Sequence, residues 1–223
     1  VQHNSFCSRN KNTRLAKGAS VFILSAPIEL VLKSTSHETK IAGADTMIPI
    51  PTLETPRLTL RAHRLEDFET YAALWGNEDV VRFIGGSPST PEHTWARLLR
   101  AAGHWHHFGF GFLIIEEKQS RRVIGEAGFH EAKRDMKPSI EGTLETGWLL
   151  SPDQHGKGYA LEALQALIAW GEQSFPAMTM TAIINPENQL SLKLAAKLGF
   201  QEFARSEYHG EVIVLSRPGT QPA

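Results

Sequence analysis

A chain of 223 residues, 41% hydrophobic and 21% charged, has the length and balance of one soluble domain with a full core and some additional sequence. Cys7 is the sole cysteine, which excludes an internal disulfide framework and any paired-cysteine metal or redox motif, and a reducing, cytoplasmic setting is expected. The formal net charge of −1 argues against nucleic acid as a partner; with 17 basic and 21 acidic residues after position 46, the charge leans toward a cationic acceptor.

Residues 1–46 differ from the rest in composition. Arg9, Lys11, Arg14 and Lys17 precede an apolar run over 21–32 that imitates a signal peptide, but Pro27 and Glu29 interrupt it and it is too short to span a bilayer. Met47 reads as the true start, with 1–46 a non-native or disordered extension, 47–217 one domain and 218–223 a frayed tail.

The alternation Arg57-Leu58-Thr59-Leu60-Arg61 predicts a half-buried strand, and Leu65, Phe68, Tyr71, Ala72 and Trp75 mark one face of a helix over 65–75. Residues 77–88, with Phe83-Ile84-Gly85-Gly86, read as a loop free to line a site. Ser89, Pro91 and Glu92 predict a capping box and a second helix to about residue 107. Its Trp95 and Trp105, like Trp75, are expected in the core, although Trp75 and Phe83 are also placed to line an acceptor pocket. Strands over 110–117 and 122–129 form a hairpin about a polar turn, 131–139 is a polar loop, and 142–150 is a third strand.

From Trp148 to Ala160 the chain passes from strand end through Ser151-Pro152-Asp153 and Gly156-Lys157-Gly158 into a helix whose apolar face is Ala160, Ala163, Leu164, Leu167 and Ile168. Glycines at a helix N-terminus let an anion approach unpaired backbone N–H groups at the positive end of the dipole, so this stretch reads as a pyrophosphate cradle. A strand over 178–184 follows. Asn185 and Pro186 predict the start of the next helix and Gly199 its stop, and strands over 200–204 and 211–215 close the fold. The expected architecture is a mixed α/β (α+β) fold with a mostly antiparallel sheet flanked by helices.

The glycine loop alone is weak evidence, lacking the third glycine of a dinucleotide fingerprint and the Lys-Ser/Thr of a P-loop. Joined to Asn188-x-x-Ser191-x-x-Leu194-x-x-Lys197-Leu198-Gly199-Phe200, it resembles the GNAT superfamily of acyl-CoA-dependent N-acetyltransferases, whose cradle is Q/R-x-x-G-x-G/A. Thr55-Pro56-Arg57-Leu58-Thr59-Leu60-Arg61, Phe83-Ile84-Gly85-Gly86 and Glu145-Thr146-Gly147-Trp148-Leu149-Leu150 look like the RimJ/RimL branch, which acetylates N-terminal amines of ribosomal proteins. The resemblance implies acetyl-CoA as co-substrate, held by His155, Gly156, Lys157, Gly158, Tyr159 and Ala160, by the backbone of Trp148, Leu149 and Leu150 at a bulged strand, and by Asn188. His155 stands where the family has Gln or Arg. Ala195 stands where many relatives carry a general-acid tyrosine, leaving Ser191 as the replacement candidate toward the thiol.

Glu145, just upstream of the cradle strand's end, is the candidate base, acting directly or through water. An α-amine with a pKa near about 7.8 costs roughly 1 kcal/mol to deprotonate at neutral pH and a lysine about 5 kcal/mol, so a modest base suffices for an N-terminal acceptor. Neither a metal nor a membrane is expected as partner, and a homodimer stays open. Competing readings are acetylation of a small-molecule amine (polyamine, aminoglycoside or amino acid) and a catalytically silent acyl-CoA sensor.

Overall fold

The computed structural model describes residues 49–219; expectations for the extension, including the start at Met47, and for the last four residues lie outside it. Eight strands, β1 (Leu53–Glu54), β2 (Leu58–Arg61), β3 (Phe112–Glu117), β4 (Val123–His130), β5 (Leu144–Leu150), β6 (Met180–Ile184), β7 (Gln201–Glu207) and β8 (Glu211–Arg217), form one sheet in the order β1-β2-β3-β4-β5-β6-β8-β7. Only β5 and β6 pair in parallel; every other neighbour is antiparallel. Among the described residues five α-helices accompany it: α1 (Phe68–Trp75), α2 (Glu78–Val81), α3 (Pro91–Phe108), α4 (Tyr159–Ser174) and α5 (Gln189–Lys197).

The alternation of strand side chains explains the layers. Leu113 and Ile115 of β3, with Leu58, Leu60, Phe129, Leu144 and Met180, bury against Leu164 and Leu167 of the crossover helix α4. On the opposite face Ile114 and Leu149 meet Tyr71 and Trp75 of α1 and Leu98 of α3. Val212 and Val214 of β8 carry a second patch with Met136 and Ile140 from the loop before β5.

Local chemistry departs from the sequence reading in places. Thr90, not Ser89, caps α3, its Oγ1 accepting from the His93 N–H at 3.2 Å, while the Ser89 N–H is spent on the Trp75 carbonyl. Asn185 closes a turn by accepting from the Glu187 N–H at 2.8 Å, so α5 starts three residues later than expected, capped by Asn188. Residues 77–88 are not all loop, because the Asn77 side chain accepts from Asp79 and starts α2. Trp95 is on the surface at 39% exposure, edge-on to Phe68, whereas Trp75 and Trp105 are buried. Arg61, expected on the polar side of its strand, is buried by an ion pair with both oxygens of Asp67 at 2.8 Å and by Glu116 at 2.8 Å. No helix among the described residues is long and apolar enough to cross a membrane.

Candidate active site

The sheet is interrupted at one place. β5 pairs with β6 only through Leu144–Met180 and Glu145–Thr181, although β6 continues in register with β8 as far as Ile184–Ile213. Beyond Glu145 the two parallel strands part, and backbone groups of β5 that a neighbour would satisfy face a gap. The bulge expected in β5 is not what opens it: the ladder from β4 runs unbroken from Gly125–Leu150 to His130–Glu145. Register shifts fall instead in the β3–β4 and β7–β8 pairs.

At the far end of β5 lies the cradle. Gly156 (φ 75°) and Gly158 (φ 81°) occupy the left-handed region that glycine enters without a Cβ penalty, and no side chain caps the N-terminus of α4. An added Cβ on Gly156 would meet nothing within 4 Å, so that backbone is open to a ligand. Uncapped first-turn N–H groups beside bare glycines fit a pyrophosphate.

The surrounding side chains build this loop. The His155 ring donates from Nε2 to the Leu150 carbonyl at 3.2 Å, tying the loop to the strand that feeds it. Lys157 donates to Gln154 at 3.0 Å. Arg57 bonds the Lys157 carbonyl at 2.9 Å, pairs with Glu162 at 2.6 Å and lies 4.5 Å over the Tyr159 ring. The Tyr159 hydroxyl is committed to Glu117. The Thr55 hydroxyl also donates to Glu162 at 2.6 Å, so Thr55 and Arg57 together support the cradle from the start of the sheet.

Between the α1–α3 patch and the β8 patch opens a cavity of about 440 Å³. Of the candidates from sequence, it gathers Trp75, Phe83, Glu145, Trp148, Leu149, Asn188 and Ser191; Leu150 and residues 155–160 lie outside its lining, at the strand end and the α4 terminus. Asn188 spends Oδ1 on the Ser191 N–H at 3.2 Å, leaving its amide N–H₂ available. The Ser191 hydroxyl has no hydrogen-bond partner among the described residues. Ala195 is fully buried in the core.

Glu145 is not a free carboxylate. Arg134 grips it through two bonds, at 2.6 and 2.5 Å, and also donates to the Tyr208 hydroxyl at 2.9 Å. Both carboxylate oxygens are therefore occupied by the guanidinium, and neither faces a substrate unbonded. A second carboxylate, unremarked in the sequence, lines the same cavity: Glu126 is 3% exposed, and its Oε2 accepts from the Tyr71 hydroxyl at 3.0 Å and from His63 at 3.2 Å. Its Oε1 makes no such bond. Burial and then the Glu126 charge push the Tyr71 phenol up, so Tyr71 remains a donor. An acid inside the otherwise buried run Val123–His130 was the available signal.

Histidines complete the wall. His104 donates from Nδ1 to the Phe110 carbonyl at 2.8 Å and accepts at Nε2 from the Glu131 N–H at 2.9 Å, which fixes the neutral tautomer and ties α3 to the loop after β4. Burial, reinforced by the positive charges of Arg134, Arg100 and Arg97, pushes His130 down to about 4, so it is a neutral imidazole at pH 7.

Comparison with known proteins agrees with this geometry. The acetyltransferase (GNAT) domain family matches residues 57–201. The uncharacterized N-acetyltransferase p20 of Bacillus licheniformis is 33% identical over 153 residues, covering 68% of this chain and 83% of that protein. An acetyltransferase crystal structure from Agrobacterium tumefaciens superposes with a TM-score of 0.65 at 30% identity, covering 75% of this chain and 94% of the other. RimL, a ribosomal α-N-protein acetyltransferase solved in complex with coenzyme A, shares the fold with a TM-score of 0.64 at 16% identity, over 77% of this chain and all of its own. The chain therefore belongs to the GNAT acetyltransferase family and is an N-acetyltransferase.

Proposed function

We propose that the chain transfers an acetyl group from acetyl-CoA to a primary amine by direct attack within a ternary complex, with an α-amine at a peptide or protein N-terminus as acceptor. The observation that carries this reading is the open β5–β6 gap: Gly147, Trp148 and Leu149 line the cavity on one side of it and Ile183 and Ile184 on the other, and β5 runs on from there toward the uncapped N-terminus of α4. Along that line a pyrophosphate meets the N–H groups following Gly156 and Gly158, and an extended pantetheine arm adds to the free edge of Trp148, Leu149 and Leu150. The Asn188 amide donates to a pantetheine carbonyl. A backbone N–H near Trp148 or Leu149 stabilises the oxyanion as the amine attacks the thioester carbon.

Proton traffic falls to the cavity's side chains. Glu145 accepts a proton only if Arg134 withdraws, whereas Oε1 of Glu126 is available as it stands. Glu126 is therefore the proposed proton acceptor, through water, with Glu145 the alternative. The Ser191 hydroxyl donates to the departing thiolate, whose pKa of about 8.5, if it resembles cysteine, makes a hydrogen bond sufficient. The low cost of deprotonating an α-amine, about 1 kcal/mol at neutral pH, matches these modest groups better than a lysine acceptor does.

The test is thiol release from acetyl-CoA with N-terminal peptides, the same peptides with blocked N-termini, polyamines and free amino acids. Release with the free N-termini and none with the blocked ones is expected. Turnover confined to polyamines would replace the acceptor, and stabilisation by CoA without release for any amine would mark an acyl-CoA sensor.

A further inference from the structure

The cavity's charge runs against that of the domain. Its lining carries Arg82, Arg97, Arg100 and Arg134, together with Glu126, Glu145 and Glu211. All three acids are engaged: Glu145 by Arg134, Glu211 by Arg205 at 2.8 Å, and Glu126 by Tyr71 and His63. Among the described residues, Arg134 is the one of these four arginines with an ion-pair partner. Among the described residues no carboxylate lies within 4 Å of Arg82, Arg97 or Arg100, and none of the three donates a hydrogen bond. Arg82 rests over Phe83, 5.3 Å from the ring centroid.

Arg97 is the informative one. Its guanidinium carbon sits over Trp75, 3.6 Å from the ring centroid, a contact that holds the fork but uses none of its N–H groups. Its Nε is sealed from solvent and has no acceptor. A buried donor left in this state is costly, and the nearby Arg100 adds like-charge repulsion. A purely structural stack would not require two more cations on the same wall. With Arg97, Arg100, Ala101 and His104 all lining the cavity, α3 turns one face of positive charge and donors toward it. Arg97 also lies within the electrostatic reach of Tyr71 and Glu126. An unpaired guanidinium and a carboxylate with a free oxygen thus face one chamber, complementary to a molecule that carries both signs.

We propose that the acceptor is an amine bearing an anionic oxygen group, such as a carboxylate or phosphonate, within a few bonds of the nitrogen, and that Arg97 grips this group in fork geometry, with Arg100 and Arg82 nearer the rim. This rests on the reading of the cavity as the acceptor site and narrows the acceptor class within it. The leaning toward a cationic acceptor drawn from net charge is replaced, because a substrate meets the local wall and not the domain's sum. Two sources share the chemistry: a free amino acid, and a peptide whose first or second residue is acidic.

Matched acceptor pairs test it. Thiol release is measured for a free amino acid against its carboxamide, and for a peptide with Asp or Glu at its second position against the Asn or Gln version. The expected result is a kcat/KM at least about tenfold higher for the anionic member of one pair, the responding pair naming the source, as charge-assisted bonds to arginine imply. In Arg97→Met that ratio collapses toward one through KM, and Arg97→Lys restores it only in part because the fork is lost. Equal rates within both pairs, or a ratio unchanged in Arg97→Met, overturn the proposal. Binding is followed separately by isothermal titration calorimetry of each acceptor into CoA-loaded protein. A response to the anionic members alone, absent in Arg97→Met, upholds the anion site even if no acceptor turns over, an outcome that would sink the transferase reading instead. Circular dichroism and CoA-induced thermal stabilisation of both variants exclude misfolding as the cause.

Discussion

At the scale of single residues, Glu126 and Glu145 differ in availability and therefore in expected phenotype. Removing the charge from Glu126 takes away the one carboxylate oxygen of this pair that is not already bonded, so Glu126→Gln should lower kcat by about 10²–10⁴ at pH 7 while leaving acetyl-CoA affinity near wild type. Glu145→Gln instead frees Arg134 inside the protein. The expected result is a loss of about 1–2 kcal/mol in stability with a smaller loss in kcat, because a partly buried guanidinium without its carboxylate is the main consequence. Steady-state kinetics with urea denaturation distinguish them, and the reverse pattern would return the base role to Glu145. Ser191→Ala should lower turnover by about tenfold without affecting folding, because its hydroxyl supports no structural bond. His130 offers a pH test. Its native pKa of about 4 lies below the unfolded value of about 6.5, so the unfolded chain binds the extra proton between these limits. The associated stability is complete above pH 6.5 and is lost as pH falls toward 4. After allowance for solvent screening this is about 1–2 kcal/mol, and urea midpoints measured from pH 7 to 4.5 should fall less steeply in His130→Gln than in wild type.

At the scale of elements, most of the framework was legible because each strand and helix carries its own period and punctuation. The α4 face Ala163, Leu164, Leu167 and Ile168 is buried as its spacing indicates, and Pro91 and Gly109 bound α3 at the places their backbone preferences dictate. The errors cluster where two neighbouring residues could perform one local task. Thr90 and Ser89 compete for a cap, as do Asn188 and Asn185, and the choice depends on where the preceding chain leaves tertiary structure, which no local pattern records. Glu126 and Arg97 escaped for a different reason. A lone acid in an apolar strand marks a position without naming its partners, a helix arginine is ordinary in sequence, and only the packing of Tyr71 and Trp75 gives them a site. Close packing between elements is equally silent: Gly171, in the interior of α4, approaches the Phe129 ring and the Met180 methyl so closely that a Cβ would sit 2.7 and 2.8 Å from them. Helix propensity alone favours Gly171→Ala by about 1 kcal/mol, but overpacking costs about 1–3 kcal/mol. Net destabilisation is expected in thermal melts, and a stabilised variant would show that the ring and the methyl yield freely.

At the scale of the described domain, the decisive feature is a sheet that is continuous on one side of β5 and open on the other. β4 holds β5 along six residue pairs, whereas β6 holds it by two, so the strands β6, β8 and β7 are tied to the rest of the sheet less by backbone bonds than by the core beneath α4. A ligand that lies along β5, seats its phosphates at the N-terminus of α4 and reaches Asn188 would bridge the two parts and supply the missing edge. Such a ligand stabilises the native state by mass action, about 2.7 kcal/mol at a hundredfold excess over its Kd. The stabilisation should be localised in a recognisable way. On adding CoA, hydrogen exchange should slow at backbone amides of residues 147–150, at residues 158–161 and at the start of α5, while β2 and β3, remote from the gap, change only as much as global stability does. Protection restricted to residues 158–161 would mean that the phosphates bind but the arm does not enter the gap. That outcome would remove the interrupted β5–β6 ladder as the basis for thioester placement.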